Sequence, residues 1–481
     1  MTSPRDRLVQ ALLAWLLDDA RERLARFRGA PDADPIAVVL QRHAALRGPR
    51  ARELFEEARE RGLLEGSDLM ATSSWLREAY ATVGRSRADA RLADVLGQRV
   101  PHDSDHFPSG VLFDRLCREA HVGRRRAFGR SLEAHAPSVL RAMREGLADV
   151  EEALEPARWL EAARAPDRAE PSAVLEAARA TLRATEDVWA EALERLRHAA
   201  ATPIETWPDL LHALRAPRLD DLVSPRRRFR RLAEPLDELG VSEALSRRAR
   251  VQGVAPGTYR AQVVPLAVPR DVRIVPAGLE LGLASERAAA EALGRALALA
   301  WTHPALPPLA AWPEASTVGR AVGGLFAHVG LDPLFLERAG HAPREARILR
   351  EVGTALELFA LRTAAAACEA REHLGASAFP DAARESLRGA WQVDVVPSVA
   401  AVVSMPRGNE PTAALRAARW VAPLHALLRE RFDEDYWRNP RTAELLRAAA
   451  ERGPSLTVEA WAAELGASAA RLGERYGELM R

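Results

Sequence analysis

Apolar positions recur every three or four residues along most of this chain. In "ARELFEEARERGLL" (51–64) and "PSAVLEAARATLRATEDVWAEALERLRHAA" (171–200), Leu, Val, Ala and Trp fall at helical spacing, with Glu and Arg between them. The opening stretch "MTSPRDRLVQALLAWLLDDARERL" has the same period. Asp18, Asp19 and Glu22 follow its apolar run at once, which makes it an amphipathic helix rather than a secretion signal. Pro with Asp, Gly or Ser interrupts the pattern at 28–35, 97–110, 164–172 and 215–225, where helices should stop and turn. One segment departs from the helical period. "GTYRAQVVPLAVPRDVRIVPAGLELG" (257–282) is rich in Val and Ile, alternates over short stretches and is cut by prolines, so it predicts two or three short strands. The pattern then returns to helix through "AEALGRALALAW" and on to Arg481. The expected fold is mainly α with a small β insert. The natural division lies near residue 225, separating an N-terminal helical lobe (1–225) from a second lobe (226–481). No fixed period marks a repeat array.

Composition changes this picture little. The 481 residues are 48% hydrophobic, enough for a large core, and aromatics at 5% argue against an all-β fold. The net charge of +1 gives no general pull toward nucleic acid or membrane. Every one of the 68 basic residues is arginine, a bias that fits a GC-rich bacterial genome. No stretch has the roughly 18 uncharged apolar residues of a membrane span, so a cytoplasmic protein is expected. Cys117 and Cys368 are far apart and read as buried reduced thiols.

Candidate chemistry is sparse. The one His-x-x-x-His spacing is "HDSDH", His102 to His106. Pro101 and Pro108 flank it, so it reads as an exposed polar loop rather than a metal trap. "GRRRAFGR" (123–130) and "SPRRRFRR" (224–231) interleave Phe with arginine. Phosphate binding with stacking is one reading, but neighbouring acidic residues favour ion pairs on helix faces. Neither "GSDLM" nor "VVSMP" is a nucleophile elbow. "GGLF" (323–326) lies within a helical pattern, where its glycines would permit close packing.

From about Ser172 onward, the order of local stretches resembles the zinc peptidases of the thimet oligopeptidase and oligoendopeptidase type, which are mostly helical gluzincins with a deep substrate channel. "LRATEDVWAEALERL" and "LLHALRAPRLDDLVSP" resemble the helices before the catalytic half, and "YRAQVVPLAVPRDVRIV" the strands before the zinc helix. "EALGRALALAWT" resembles the zinc helix (about 286–301), "STVGRAVGGLFAHVGLDPLFL" the helix carrying the third ligand, and "LLRERFDEDYWRNPRTAELLRAAAERG" the C-terminal end. The departures fall on the chemistry. Aligned on Gly294 and Ala296, Glu291 and Arg295 occupy the two histidine positions. Ala292 stands at the general-base position and Arg320 at the third ligand, 25 residues after Arg295. Ala414 stands where such enzymes carry a tyrosine that steadies the intermediate. A guanidinium offers only donors and an alanine cannot activate water. The resemblance therefore implies a pseudopeptidase with a vestigial site and no zinc. Glu291 and Arg295, at i and i+4, are expected to pair, with Arg320 joining from the next helix. Two arginines against one glutamate would suit an anion such as a peptide carboxylate. The expected partners are a peptide or protein segment, added beside the strand around Tyr259, Arg260, Ala261, Gln262, Val263 and Val264, or an active paralogous peptidase. The alternative is an active metallopeptidase with other ligands, such as His303, His328 or Glu314.

Overall fold

The computed structural model describes residues 2–27, 35–103, 105–160, 170–200, 203–223, 233–252, 261–277, 282–311, 316–405 and 410–480. The protein is mainly α-helical, as its apolar periodicity predicts. The principal helices are α1 (Pro4–Phe27), α2 (Gly66–Gly97), α3 (Val122–Leu154), α4 (Trp207–Arg215), α5 (Leu283–Trp301), α6 (Thr317–Val329), α7 (Pro343–Ala370), α8 (Phe379–Trp391), α9 (Glu410–Phe432) and α10 (Leu472–Met480). No helix among the described residues is long and apolar enough to cross a membrane.

Three apolar clusters form the core. In the first, α1 packs on α2 and its Trp15 meets Trp75 edge to face at 6.3 Å. The second draws on both sides of residue 225, joining α3 and α4 to α7, α8, the start of α9 and α10. The third gathers α5, α6, part of the sheet and the second half of α9.

The sheet has the order β3 (Ala249–Val251), β5 (Asp271–Val275), β4 (Gln262–Ala267), with β3 parallel and β4 antiparallel to β5. Two of the three strands fall in the expected insert. The sequence pattern missed β3, a parallel strand whose Ala-Arg-Val alternation is only three residues long and directly follows a helix. Alternation does place the sheet's faces. Val272 and Ile274 join the α5 core, while Val264 and Val275 join the α1 core, so the sheet is a layer between the two. Tyr259 and Arg260, expected in the peptide-binding strand, lie outside the described residues.

The "HDSDH" segment is a hairpin, not a loop: β1 (Arg99–His102) pairs with β2 (Asp105–Pro108), turning at Asp103 with φ of 52°. A two-stranded ribbon tolerates Pro101 and Pro108 because its outer edges need no donors. His102 stacks on Phe128 at 4.3 Å and contacts Ser131 Oγ at 3.1 Å. His106 pairs across from Pro101 and so points to the opposite face of the ribbon from His102. The spacing does not bring the two imidazoles together.

Candidate functional site

Small residues set the distance between α5 and α6. A methyl group on Gly294 would lie 2.9 Å from Gly323 Cα, and one on Gly323 would lie 2.6 Å from Arg295 Cγ and 2.7 Å from the Glu291 carbonyl oxygen. Real carbon contacts do not come so close, so the crossing requires both glycines. The two helices run antiparallel. Gly319 lies against Ala298, Gly323 against Glu291 and Arg295, and the Ala327 carbonyl accepts from Arg287 at 3.4 Å. Helix α9 lies along the other side of α6. Gly324 packs on Val421 and the rings of His328 and His425 approach to 4.3 Å, so each turn of α6 matches one turn of α9 in the same direction.

This register places every residue of the constellation assigned by resemblance. Glu291, Ala292 and Arg295 sit on α5, with Arg320 at a matching level on α6. Ala414 lies seven residues before Val421, hence on the α6-facing side of α9, about a turn beyond the level of Arg320. The three helices pack against one another. Glu291, Arg295, Arg320 and Ala414 are partly buried, whereas Ala292 is buried in the third core.

The expected ion pair is not formed: Glu291 makes no hydrogen bond or ion pair with Arg295 or Arg320 among the described residues. The reason is steric. The backbone of α6 at Gly323 presses on the stems of both side chains, close to Arg295 Cγ and to Glu291 Cγ. An i, i+4 pair needs the open helix surface that α6 occupies here.

A buried polar hub lies at the other end of the α5–α6 pair. Glu357 on α7 accepts from Arg287 Nη2 at 2.6 Å through Oε1, and its Oε2 lies 2.7 Å from His328 Nδ1. His425 Nδ1 meets the Tyr436 hydroxyl at 2.9 Å. Burial alone would raise the Glu357 carboxyl, but Arg287 and His328 outweigh it and hold it at about 2. Burial, reinforced by the neighbouring His328, pushes His425 well below its ordinary value, so it is neutral. Burial and then the Asp332 carboxylate push the Tyr436 phenol well up. Periodicity could not announce this hub, because its members come from five elements. The one signal was Glu357 itself, on the apolar face of α7 with Leu361 four residues on.

The alternative ligands are not brought together. His303 is exposed just beyond α5, with its ring accepting from the Ala305 N–H at 3.1 Å. His328 is fully buried at the far end of antiparallel α6, and Glu314 lies outside the described residues. Among the described residues, no three His, Cys, Asp or Glu side chains gather in a way that could hold a metal ion.

The remaining sequence candidates are structural. In the first arginine cluster, Arg125 is fully buried and donates twice to Asp209 Oδ1, at 3.1 and 2.9 Å, while Arg126 holds Oδ2 at 2.8 Å. Asp209 also accepts from the Thr206 hydroxyl at 2.8 Å in the capping box of α4. These bonds keep its carboxyl below the ordinary range in spite of burial. The cluster is thus an internal ion-pair network. The second, at 224–231, lies outside the described residues. Cys117 and Cys368 are buried free thiols, which burial pushes up to about 12 and about 11.

No family model and no curated protein matches the chain by sequence. Solved structures do match. An oligoendopeptidase F structure superposes with a TM-score of 0.60 at 10% identity, covering 97% of this chain and 95% of its own. The chain has the oligoendopeptidase-like fold. PZ peptidase A, solved with an inhibitor, superposes with a TM-score of 0.60 at 8% identity, over 88% of this chain and 81% of its own. A Bacillus anthracis oligoendopeptidase F gives 0.55 at 10% identity, over 86% and 76%. In this fold the zinc positions assigned by resemblance fall on α5 and α6, and zinc does not fit what stands there. Of Glu291, Arg295 and Arg320, only the glutamate has a lone pair to give, since a guanidinium stays protonated and has only donors. Ala292, in apolar core, offers no base.

Proposed function

We propose that this oligoendopeptidase-fold chain is a pseudopeptidase of the cytoplasm. It holds peptides or protein segments in the cleft without cutting them, or uses the same binding to regulate an active paralogue. One observation carries the reading: the facing helices α5 and α6 carry arginines at two of the three positions that the resemblance assigns to zinc ligands, and an alanine at the one it assigns to the base. Zinc hydrolysis depends on a metal-bound water and a carboxylate beside it to deprotonate it; Glu291 alone is a poor ligand set, and Ala292 is no base. Strand β4 supports the binding half of the proposal. It stands at one end of the described strand order β3-β5-β4, the position at which an extended segment would add beside it.

Metal analysis of the purified full chain, together with cleavage assays on quenched fluorescent peptides, tests the proposal. Zinc far below one ion per chain and no cleavage are expected. About one zinc per chain with chelator-sensitive cleavage would overturn it.

A further inference from the structure

A cavity of about 380 Å³ opens where α3, the start of α8 and the helix Pro397–Ser404 meet. That volume is in the range of small-molecule sites, and none of positions 291, 292, 295, 320 and 414 lines it. Pro137, Pro380 and Pro397 give it rigid apolar walls. Its polar lining consists of Arg141, Arg144 and Ser398. The two arginines are three residues apart on α3, so they share a face with about 5–6 Å between their Cβ atoms. Neither makes a hydrogen bond or ion pair among the described residues. Glu145, four residues on from Arg141, is held by Arg91 at 3.0 Å instead. The hydroxyl of partly buried Ser398 is also without a partner among the described residues. The lining therefore offers two permanent positive charges and a hydroxyl, with no carboxylate to balance them.

We propose that this cavity binds a small organic phosphate monoester, its phosphoryl group between Arg141 and Arg144 and its organic body against the prolines. Charge selects the ligand class. A phosphate monoester carries about −1.5 to −2 at pH 7, which matches two guanidinium groups, whereas a carboxylate would balance only one. Each guanidinium fork fits a pair of phosphate oxygens, and the Ser398 hydroxyl can donate to the third. The apolar walls give a carbon skeleton something to cover, which inorganic phosphate lacks. Size selects a small molecule over a polyanion. Glu145 and Asp381, which directly follow Arg144 and Pro380, are exposed carboxylates that would repel a long phosphate backbone passing over the cavity. The site stands apart from the peptide-binding reading above and does not depend on it.

Isothermal titration calorimetry of the full chain tests this with phenyl phosphate as the probe, beside benzoate, inorganic phosphate and a short single-stranded DNA. Phenyl phosphate should bind at one per chain, and benzoate at least about ten-fold more weakly. Inorganic phosphate should also bind more weakly than phenyl phosphate. Arg141→Gln and Arg144→Gln lie at exposed positions and should keep the melting temperature. Each should weaken phenyl phosphate at least about ten-fold. Arg388, an exposed arginine on α8 that also has no partner among the described residues, does not line this cavity. Arg388→Gln should therefore leave binding unchanged. No binding of phenyl phosphate at millimolar concentration would overturn the proposal. So would binding that survives the Arg141→Gln, Arg144→Gln double change, or an equal loss in Arg388→Gln, which would mark a general charge effect. Benzoate or inorganic phosphate binding as tightly as phenyl phosphate would overturn the ligand class. DNA binding more tightly, and lost in the double variant, would give the cavity to a polyanion instead.

Discussion

Glu357→Gln is the sharpest probe of what holds the site's helices in place. Glutamine preserves the shape and a carbonyl oxygen for Arg287, but it removes the charge that both Arg287 and His328 face at 2.6 and 2.7 Å. The side chain is 7% exposed and that of Arg287 15%, so solvent does little to compensate. Two routes give the magnitude. Removing one member of a buried ion pair costs about 3–5 kcal/mol, mostly through the charge left behind. Independently, the displacement of the Glu357 carboxyl from 4.5 to about 2 corresponds to about 3 kcal/mol favouring the ionised folded state. A loss of about 3 kcal/mol at pH 7 is therefore expected. The sign of the pH dependence follows from the depressed value. The contribution is complete above 4.5 and disappears as the pH falls through about 2. Urea unfolding of wild type and variant, followed by tryptophan fluorescence at pH 7 and again at acid pH, measures both. A loss below about 1 kcal/mol at pH 7, or a gap that does not narrow toward pH 2, would refute the reasoning.

Glycines with different surroundings give effects of opposite sign, one at the α5–α6 crossing and one on α8. Gly323→Val, whose Cβ would fall 2.6 Å from Arg295 Cγ, should cost about 1–3 kcal/mol. Gly389→Ala, with nothing within 4 Å, should gain about 0.5–1 kcal/mol; urea midpoints read both. Arg362 is 2% exposed and donates to the carbonyls of Leu182, Gly389 and Ala390 and to Thr185 Oγ1. Arg362→Met leaves these acceptors unmet and should cost at least about 3 kcal/mol in the same assay. Finally, the triple change Glu291→His, Arg295→His and Arg320→Glu should restore zinc binding. About one ion per chain by mass spectrometry is expected, with a stability gain of about 2.7 kcal/mol when free zinc is 100 times its dissociation constant. A folded triple variant that takes up no zinc would show that α5 and α6 do not hold the ligand geometry.

The helical frame was legible because burial on one face leaves a period in the sequence. The α5 and α6 helices carry that period, and the glycines of "GGLF" pack closely as their place in a helical pattern suggested. What sequence could not give was relation between elements. The Glu291–Arg295 pair looked natural at i, i+4, yet whether an i, i+4 pair can form depends on what covers the helix, and here the covering backbone belongs to α6. "HDSDH" read as a loop because its prolines signal breaks, and only strand pairing shows that they lie on a ribbon. The hub of Arg287, His328, Glu357, His425 and Tyr436 spans 150 positions and has no spacing to recognise. The positions assigned by resemblance could be read off for the opposite reason. Glu291, Ala292, Arg295 and Arg320 keep a fixed spacing along α5 and α6, while Ala414 lies on α9.

The absence of a metal, which the proposed function requires, is physically tolerable because the frame has other clamps. The α5–α6 pair is held at one point by the Gly294–Gly323 contact and at its far end by Arg287 reaching both the Ala327 carbonyl and Glu357. The far clamp involves none of the positions 291, 295 and 320, and the near one touches 291 and 295 only at the main chain and the first part of the stems, so the ends of those side chains can be exchanged without removing what joins the helices. Apolar replacements would have been the simplest filling for a site without a metal, since buried ion pairs seldom outperform them in stability. Position 295 instead carries an arginine. Stability gives no reason for that choice, because Arg295 has no partner among the described residues to repay its desolvation.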